Sequence, residues 1–143
     1  MAKNYKNIQL DPKYIPKKTE KYMSEEQKAY FYALLTAQRN EAIASMNSRM
    51  SDLSSSINID SMDGPDDEAD NASTTQHADI QMKILDRDKN LLAKIDNALD
   101  RLEKGTYGYS VLSGEEIGLK RMLASPFATL TIEEKEEDDK KEF

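Results

Sequence analysis

Carboxylates are the densest chemistry in this sequence. Asp63, Asp66, Asp67, Glu68 and Asp70 fall within Asp60 to Ala72, read as Asp-Ser-Met-Asp-Gly-Pro-Asp-Asp-Glu-Ala-Asp-Asn-Ala. Asp67, Glu68 and Asp70 are hard oxygen donors that could chelate a hard cation such as Mg²⁺. Charge alone supports a plainer reading as well, a solvated acidic loop. What distinguishes the stretch is its surroundings: residues 51 to 79 contain 8 acidic and 0 basic residues. Such a pole repels phosphate backbones and attracts a basic or metal-bearing protein surface, so direct specific DNA binding is not expected.

Other chemistries lack their residues. The chain of 143 residues has no Cys and a single His, His77, so it offers no disulfide, thiolate nucleophile or ordinary zinc site of Cys and His ligands. His77 has no acidic, Cys or His partner at a recognisable spacing and reads as a surface residue. No catalytic constellation is found, and the expectation is a non-enzyme that folds without metal. No apolar run approaches the roughly 20 residues that span a bilayer, and the amino terminus lacks the apolar core of a signal peptide. A cytosolic protein without a membrane partner is therefore expected.

The elements that must position the acidic stretch follow from what is missing around it. Lys17 to Asp63 and Asp66 to Lys104 contain no Gly or Pro, whereas Gly64-Pro65 separates them as a turn. With 38% apolar and 33% charged residues, the composition suits an elongated helical protein better than a thick core. The fold class predicted is all-α: a long antiparallel coiled-coil hairpin, a small helical globular domain and a C-terminal helix. Ser24-Glu-Glu-Gln27 has capping-box spacing and starts the first long helix. Ile43, Met46, Met50, Leu53 and Ile57 alternate steps of three and four, which is a two-helix seam. The return helix answers with Ile84, Leu91, Ile95, Ala98 and Leu102, interrupted by Asp88 at a seam position. Helices from about Ser24 to Ile57 and from about Ala72 to Lys104, at ~1.5 Å per residue, make arms of roughly 50 Å.

The remaining segments divide the chain further. Residues 1–21 carry 6 basic and 2 acidic residues without apolar periodicity and read as a flexible basic arm. The hairpin occupies 22–105, with its acidic tip near 60–72 and Gly105 as a left-handed cap. Residues 106–132 form the small domain, whose predicted core is Tyr107, Tyr109, Val111, Leu112, Ile117, Leu119, Met122, Leu123, Phe127, Leu130 and Ile132. Ser113-Gly-Glu-Glu116 and Thr131-Ile-Glu-Glu134 have capping-box spacing. The first predicts a short helix closed by Ser125-Pro126, the second a final helix within an acidic segment at 133–143. A monomer is expected.

These residues resemble the DksA/TraR family. The likeness covers about residues 20 to 135, through Glu20-Lys-Tyr-Met-Ser-Glu, Gly105-Thr-Tyr-Gly-Tyr-Ser, Gly114-Glu-Glu-Ile-Gly-Leu-Lys-Arg and Ala124-Ser-Pro. At the tip, Asp67-Glu-Ala-Asp70-Asn-Ala72 matches the family's Asp-x-x-Asp-x-Ala motif. The resemblance implies a transcription regulator of stringent-response type. Such a protein binds RNA polymerase through its secondary channel and acts with guanosine tetraphosphate (ppGpp). It assigns Asp67, Asp70 and Ala72 to the polymerase active region and Arg87, Leu91, Lys94 and Lys135 to the nucleotide. Arg87, Leu91 and Lys94 share a helical face by spacing, and cations there suit phosphate. The family's four usual zinc-ligand positions are Ser110, Ser113, Thr131 and Glu134 here, so this is a zinc-less member in which capping and burial by Val111 and Leu112 must replace the metal. Two other readings stand beside this one: a Gre-like transcript-cleavage factor whose tip carboxylates hold Mg²⁺, and a structural coiled-coil adaptor.

Overall fold

A computed structural model describes the backbone of residues 5–62 and 68–141 and the side chains of residues 5–55 and 75–140. Among the described residues, four α-helices follow a 3₁₀ turn at Tyr5–Asn7: α1 Glu25–Met62, α2 Glu68–Lys104, α3 Leu119–Ala124 and α4 Ile132–Lys141. The two long helices, of 38 and 37 residues, pack against each other. Both run farther toward Gly64-Pro65 than predicted, because nothing before that dipeptide removes a backbone donor or forces a positive φ. Asp70 and Ala72 are therefore helical positions of α2. The Gly64-Pro65 turn itself and Asp67 lie outside the described residues.

Two compact units are distinguishable, one comprising residues 1–37 with 94–143 and the other residues 38–93. The first contains most of the core. Phe31, Leu35, Ile95, Leu102 and Met122 are fully enclosed, and the Phe31 ring meets Tyr107 at 5.4 Å between centroids. Tyr107 in turn donates its hydroxyl to the carbonyl of Pro126. Burial pushes the Tyr107 phenol well above its ordinary range, so it stays a donor.

Capping chemistry sets the helix ends. Ser24 Oγ accepts the amide of Gln27 at 3.3 Å, as the predicted box requires. The returning bond differs by one residue: Gln27 Oε1 accepts from Met23 N at 2.8 Å, while Ser24 N donates to the carbonyl of Lys21. Met23 has φ 51°, a left-handed conformation costing roughly 1–2 kcal/mol, and the buried Gln27 amide helps hold it there. At the far end of α2, Gly105 has φ 81°. Its amide donates to Leu102 O, and the Thr106 amide donates to Arg101 O, which is a Schellman closure. Arg101, itself buried, donates to the carbonyls of Thr106 and Tyr109 and ties the loop to the helix end.

Residues 5–21 make contacts that their lack of apolar periodicity did not predict. Tyr5 packs edge-on against Tyr32 at 5.5 Å and Tyr14 against Tyr30 at 6.2 Å. Glu20 accepts the Tyr14 hydroxyl and the Lys17 amide, each at 2.7 Å, and Pro16 is buried. Aromatic side chains on the outer face of α1 give this segment the packing partners that its own periodicity did not reveal.

In the second unit Ile43, Met46, Leu53, Ile84 and Leu91 of the predicted seam are half-buried, and Met50 alone among its described residues is exposed. Met50 is 52% exposed, whereas Ala42 is buried and Ser45, Met46, Arg49 and Leu53 are half-buried. On α2, Leu85 is buried and Ile84, Asp88, Leu91 and Leu92 are half-buried. A polar layer lies beside these apolar residues. Asp88 Oδ2 accepts from Ser45 Oγ at 3.0 Å and lies 3.6 Å from Arg49 Nε, and Arg49 Nη1 donates to Gln81 Oε1 at 2.9 Å. As numbers rise along α1 they fall along α2, so these contacts also show the antiparallel sense. The side chain of Ile57 lies outside the described residues.

The small domain departs from its predicted core at Val111–Leu112 and at Ile132. Ile117, Leu119 and Met122 are buried, but Val111, Leu112 and Ile132 are 58%, 74% and 50% exposed. No helix follows Ser113. Its hydroxyl accepts the Glu115 amide in a local turn, and α3 begins only after Gly118, at φ 105° and without a side-chain cap. Between them the chain reverses through an isolated antiparallel bridge between Tyr109 and Glu116. α3 ends at Ser125-Pro126 as predicted.

Candidate functional site

Two places merit a residue-by-residue account, both within the unit of residues 1–37 and 94–143. The first gathers Ser110, Ser113, Thr131 and Glu134. Thr131 N donates to Glu134 Oε1 at 3.0 Å and Glu134 N donates to Thr131 Oγ1 at 3.2 Å, completing the predicted capping box of α4. Ser110 Oγ accepts the amides of Leu112 and Ser113 at 3.1 and 3.3 Å. The Ser110 hydroxyl, the Thr131 backbone and hydroxyl, and the Ser113 hydroxyl together hold the Glu134 carboxyl below its usual 4.5. A carboxylate surrounded by hydroxyl and amide donors thus joins the 110–113 loop to the start of α4. Of the capping and burial expected at these positions, the cap at Thr131 forms, while Val111 and Leu112 are exposed. Among the described residues there is no group of three or more His, Cys, Asp or Glu side chains suited to a metal ion.

The second place is a groove of about 480 Å³ lined by Lys94, Asn97, Arg121, Phe127 and Lys135, with Asp138 at its side. α2 supplies Lys94 and Asn97, and α4 supplies Lys135. Arg121 is steadied by donating from Nε to the carbonyl of Leu130 at 2.9 Å. Lys135 pairs with Asp139 one turn along α4 at 3.2 Å. Three cations against one lining carboxylate make the groove suitable for a phosphorylated anion.

Of the positions singled out by resemblance, the fold therefore brings Lys94 and Lys135 together. Arg87 and Leu91 belong to the other unit, where Arg87 is exposed and Leu91 half-buried. Asp70 and Ala72 stand in the first turns of α2, their side chains outside the described residues, as is the whole of Asp67. His77 is exposed on α2. The sequence reading did not single out Asn97 or Arg121, and it placed Phe127 in the core. Arg121 had a signal in its adjacent Lys120, but nothing local indicated that it would line a groove with α4.

Residues 27–102 match the family model described as the DnaK suppressor protein DksA, N-terminal domain. The chain belongs to the DksA family. Among relatives of this DksA-family chain, the RNA polymerase-binding transcription factor DksA of Caulobacter vibrioides is 34% identical over 90% of this chain and 87% of its own length. Its namesake from Escherichia coli is 30% identical, over 84% and 76% of the two chains. The solved structure of transcription factor DksA2 from Pseudomonas aeruginosa matches with a TM-score of 0.73 and 43% identity. The match covers 85% of this chain and 89% of that one.

Proposed function

We propose that this protein binds RNA polymerase and regulates transcription initiation, acting on the enzyme rather than catalysing a reaction of its own. The observation that carries the proposal is the match, over nearly its whole length, to a transcription factor named for polymerase binding. In this reading the tip around Asp67, Asp70 and Ala72 enters the secondary channel toward the polymerase active region. A tip with carboxylates and no neighbouring base perturbs a cationic or metal-bearing site without itself supplying much affinity. Ala72 keeps the adjacent carboxylates approachable by being small.

Guanosine tetraphosphate is the effector at the polymerase interface, held by Arg87, Leu91, Lys94 and Lys135. Support for it comes from a groove in which Lys94 and Lys135 face the same space with Arg121 beside them. Its phosphates would meet ammonium and guanidinium donors, which form the stronger class of hydrogen bond. No helix among the described residues is long and apolar enough to cross a membrane. The protein works in the cytoplasm as a monomer, where the polymerase is.

One in vitro experiment tests both parts: polymerase binding, and initiation at a sensitive promoter, with and without guanosine tetraphosphate. Asp70→Asn is nearly isosteric and removes only charge. It should reduce regulation at least several-fold at saturating protein while polymerase binding persists. Parental regulation by Asp70→Asn would refute the tip mechanism, and a parallel loss of binding would make the tip an anchor. Lys94→Ala combined with Lys135→Ala should weaken the response to the nucleotide, and an unaltered response would remove the nucleotide from this groove.

A further inference from the structure

The lining of the groove includes one aromatic residue, Phe127. Phe127 is half-buried, between buried Pro126 and buried Ala128. Its backbone surroundings are pinned: Pro126 O accepts the Tyr107 hydroxyl, and Ala128 N donates to Ser125 O at 3.0 Å. The ring is thus carried by a fixed stretch of chain. Lys94 Nζ lies 5.9 Å from its centroid, within the range of a cation–π contact, while Lys94 itself is exposed.

We infer that Phe127 is a positioning residue for the nucleotide response, acting through Lys94. The inference rests on the assignment of guanosine tetraphosphate to this groove. An exposed lysine has a flexible four-carbon stem and loses rotamer entropy when a ligand fixes it. The negative face of the Phe127 ring draws the ammonium toward the groove beforehand, so less ordering remains when the phosphates arrive. Among the described residues, the charged-group contact that Lys94 makes in the groove is with this ring. Lys135, by contrast, is oriented by Asp139 on its own helix. The two cations are therefore steadied by different means, one by a carboxylate and the other by a π-face.

The test is a double-substitution cycle in the reconstituted complex of this protein with RNA polymerase. It reads the guanosine tetraphosphate concentration giving half-maximal response, with each variant normalised to its own effect in the absence of nucleotide. Phe127→Leu keeps apolar bulk and removes the π-face, and should raise that concentration roughly two- to five-fold. Phe127→Tyr should match the parent, and in a Lys94→Ala background Phe127→Leu should add nothing further. The inference fails if Phe127→Leu behaves as the parent, if Phe127→Tyr is as impaired as Phe127→Leu, or if Phe127→Leu costs the same with Lys94 absent. The last result would mean that the ring contacts the ligand or only supports the fold. If Lys94→Ala weakens the response while Phe127→Leu does not, the groove keeps its nucleotide and only the role of Phe127 is lost. If Lys94→Ala is itself silent, the nucleotide assignment falls, and this inference falls with it.

Discussion

The two units of the chain solve the problem of stability differently. Residues 5–37 with 94–141 enclose aromatic and long aliphatic side chains, with Phe31, Leu35, Ile95, Leu102 and Met122 fully buried. The described part of residues 38–93 is a helix pair, in which Ala42 and Leu85 are the buried apolar residues among those described. A polar layer of Ser45, Arg49, Gln81 and Asp88 crosses that pair, while Met50, Ile80 and Met82 remain half exposed or more. The contrast follows from geometry. Two helices alone can shield a single stripe from water, whereas helices joined by a loop-rich domain can surround a side chain on all sides.

The sharpest way to break this comparison is to remove a side chain from the better-packed unit. Phe31→Ala should cost about 3–5 kcal/mol, because a fully enclosed ring leaves both lost transfer energy and a cavity. Chemical denaturation with the midpoint read by circular dichroism checks this. A cost below about 1 kcal/mol would mean that the unit repacks freely and is not the rigid part.

A smaller effect is expected in the polar layer, and its sign depends on how the layer is altered. Asp88 is only 16% exposed at its side chain, so Asp88→Ala strands Arg49 beside an apolar surface and should destabilise by about 1–3 kcal/mol. Replacing both partners, Arg49→Leu with Asp88→Leu, should recover that loss or exceed the parent, since it leaves no charge to desolvate. If the double variant is worse than Asp88→Ala, the layer determines helix pairing as well as costing stability, and the thin seam is more specific than it is strong.

The smallest effect concerns the cluster around Glu134, and it is confined to acid. The Glu134 carboxyl is held below 4.5 in the folded protein by the hydroxyl of Ser110 first, with Thr131 and Ser113. Because folding lowers this pKa, the contribution is fully present above about pH 4.5 and is lost as pH falls through the folded value. Melting temperature measured against pH should decline below that point in the parent. Glu134→Gln should flatten that decline while lowering the melting temperature slightly near neutrality. Identical acid limbs would show that the carboxylate does not join the loop to α4. Chelator should leave both curves in place, because the cluster contains hydroxyls and one carboxylate and no group among the described residues is suited to a metal ion.

Much of this architecture was legible in residues that act on their near neighbours. The absence of Gly and Pro from Lys17 to Asp63 and from Asp66 to Lys104, the cap at Gly105, and the boxes at Ser24 and Thr131 follow from hydrogen bonds closed within a turn or two. For the same reason the lack of any cysteine and the all-acidic charge of residues 51–79 needed no coordinates. The box at Ser113 misled because its spacing is local while the fate of the chain after it is not: the bridge between Tyr109 and Glu116 draws that segment into a reversal instead of a helix. Periodicity proposed Met50 for the seam, but Met50 is exposed and its neighbour Arg49 meets Asp88 and Gln81 on the facing helix. Packing of Tyr5 and Tyr14 on α1, the meeting of Ser110 with Glu134, and the groove shared by Lys94, Phe127 and Lys135 were likewise decided only by tertiary structure. Each joins residues separated by loops or helices, and which side chains meet across such a separation depends on how whole elements pack, a quantity that no local spacing encodes.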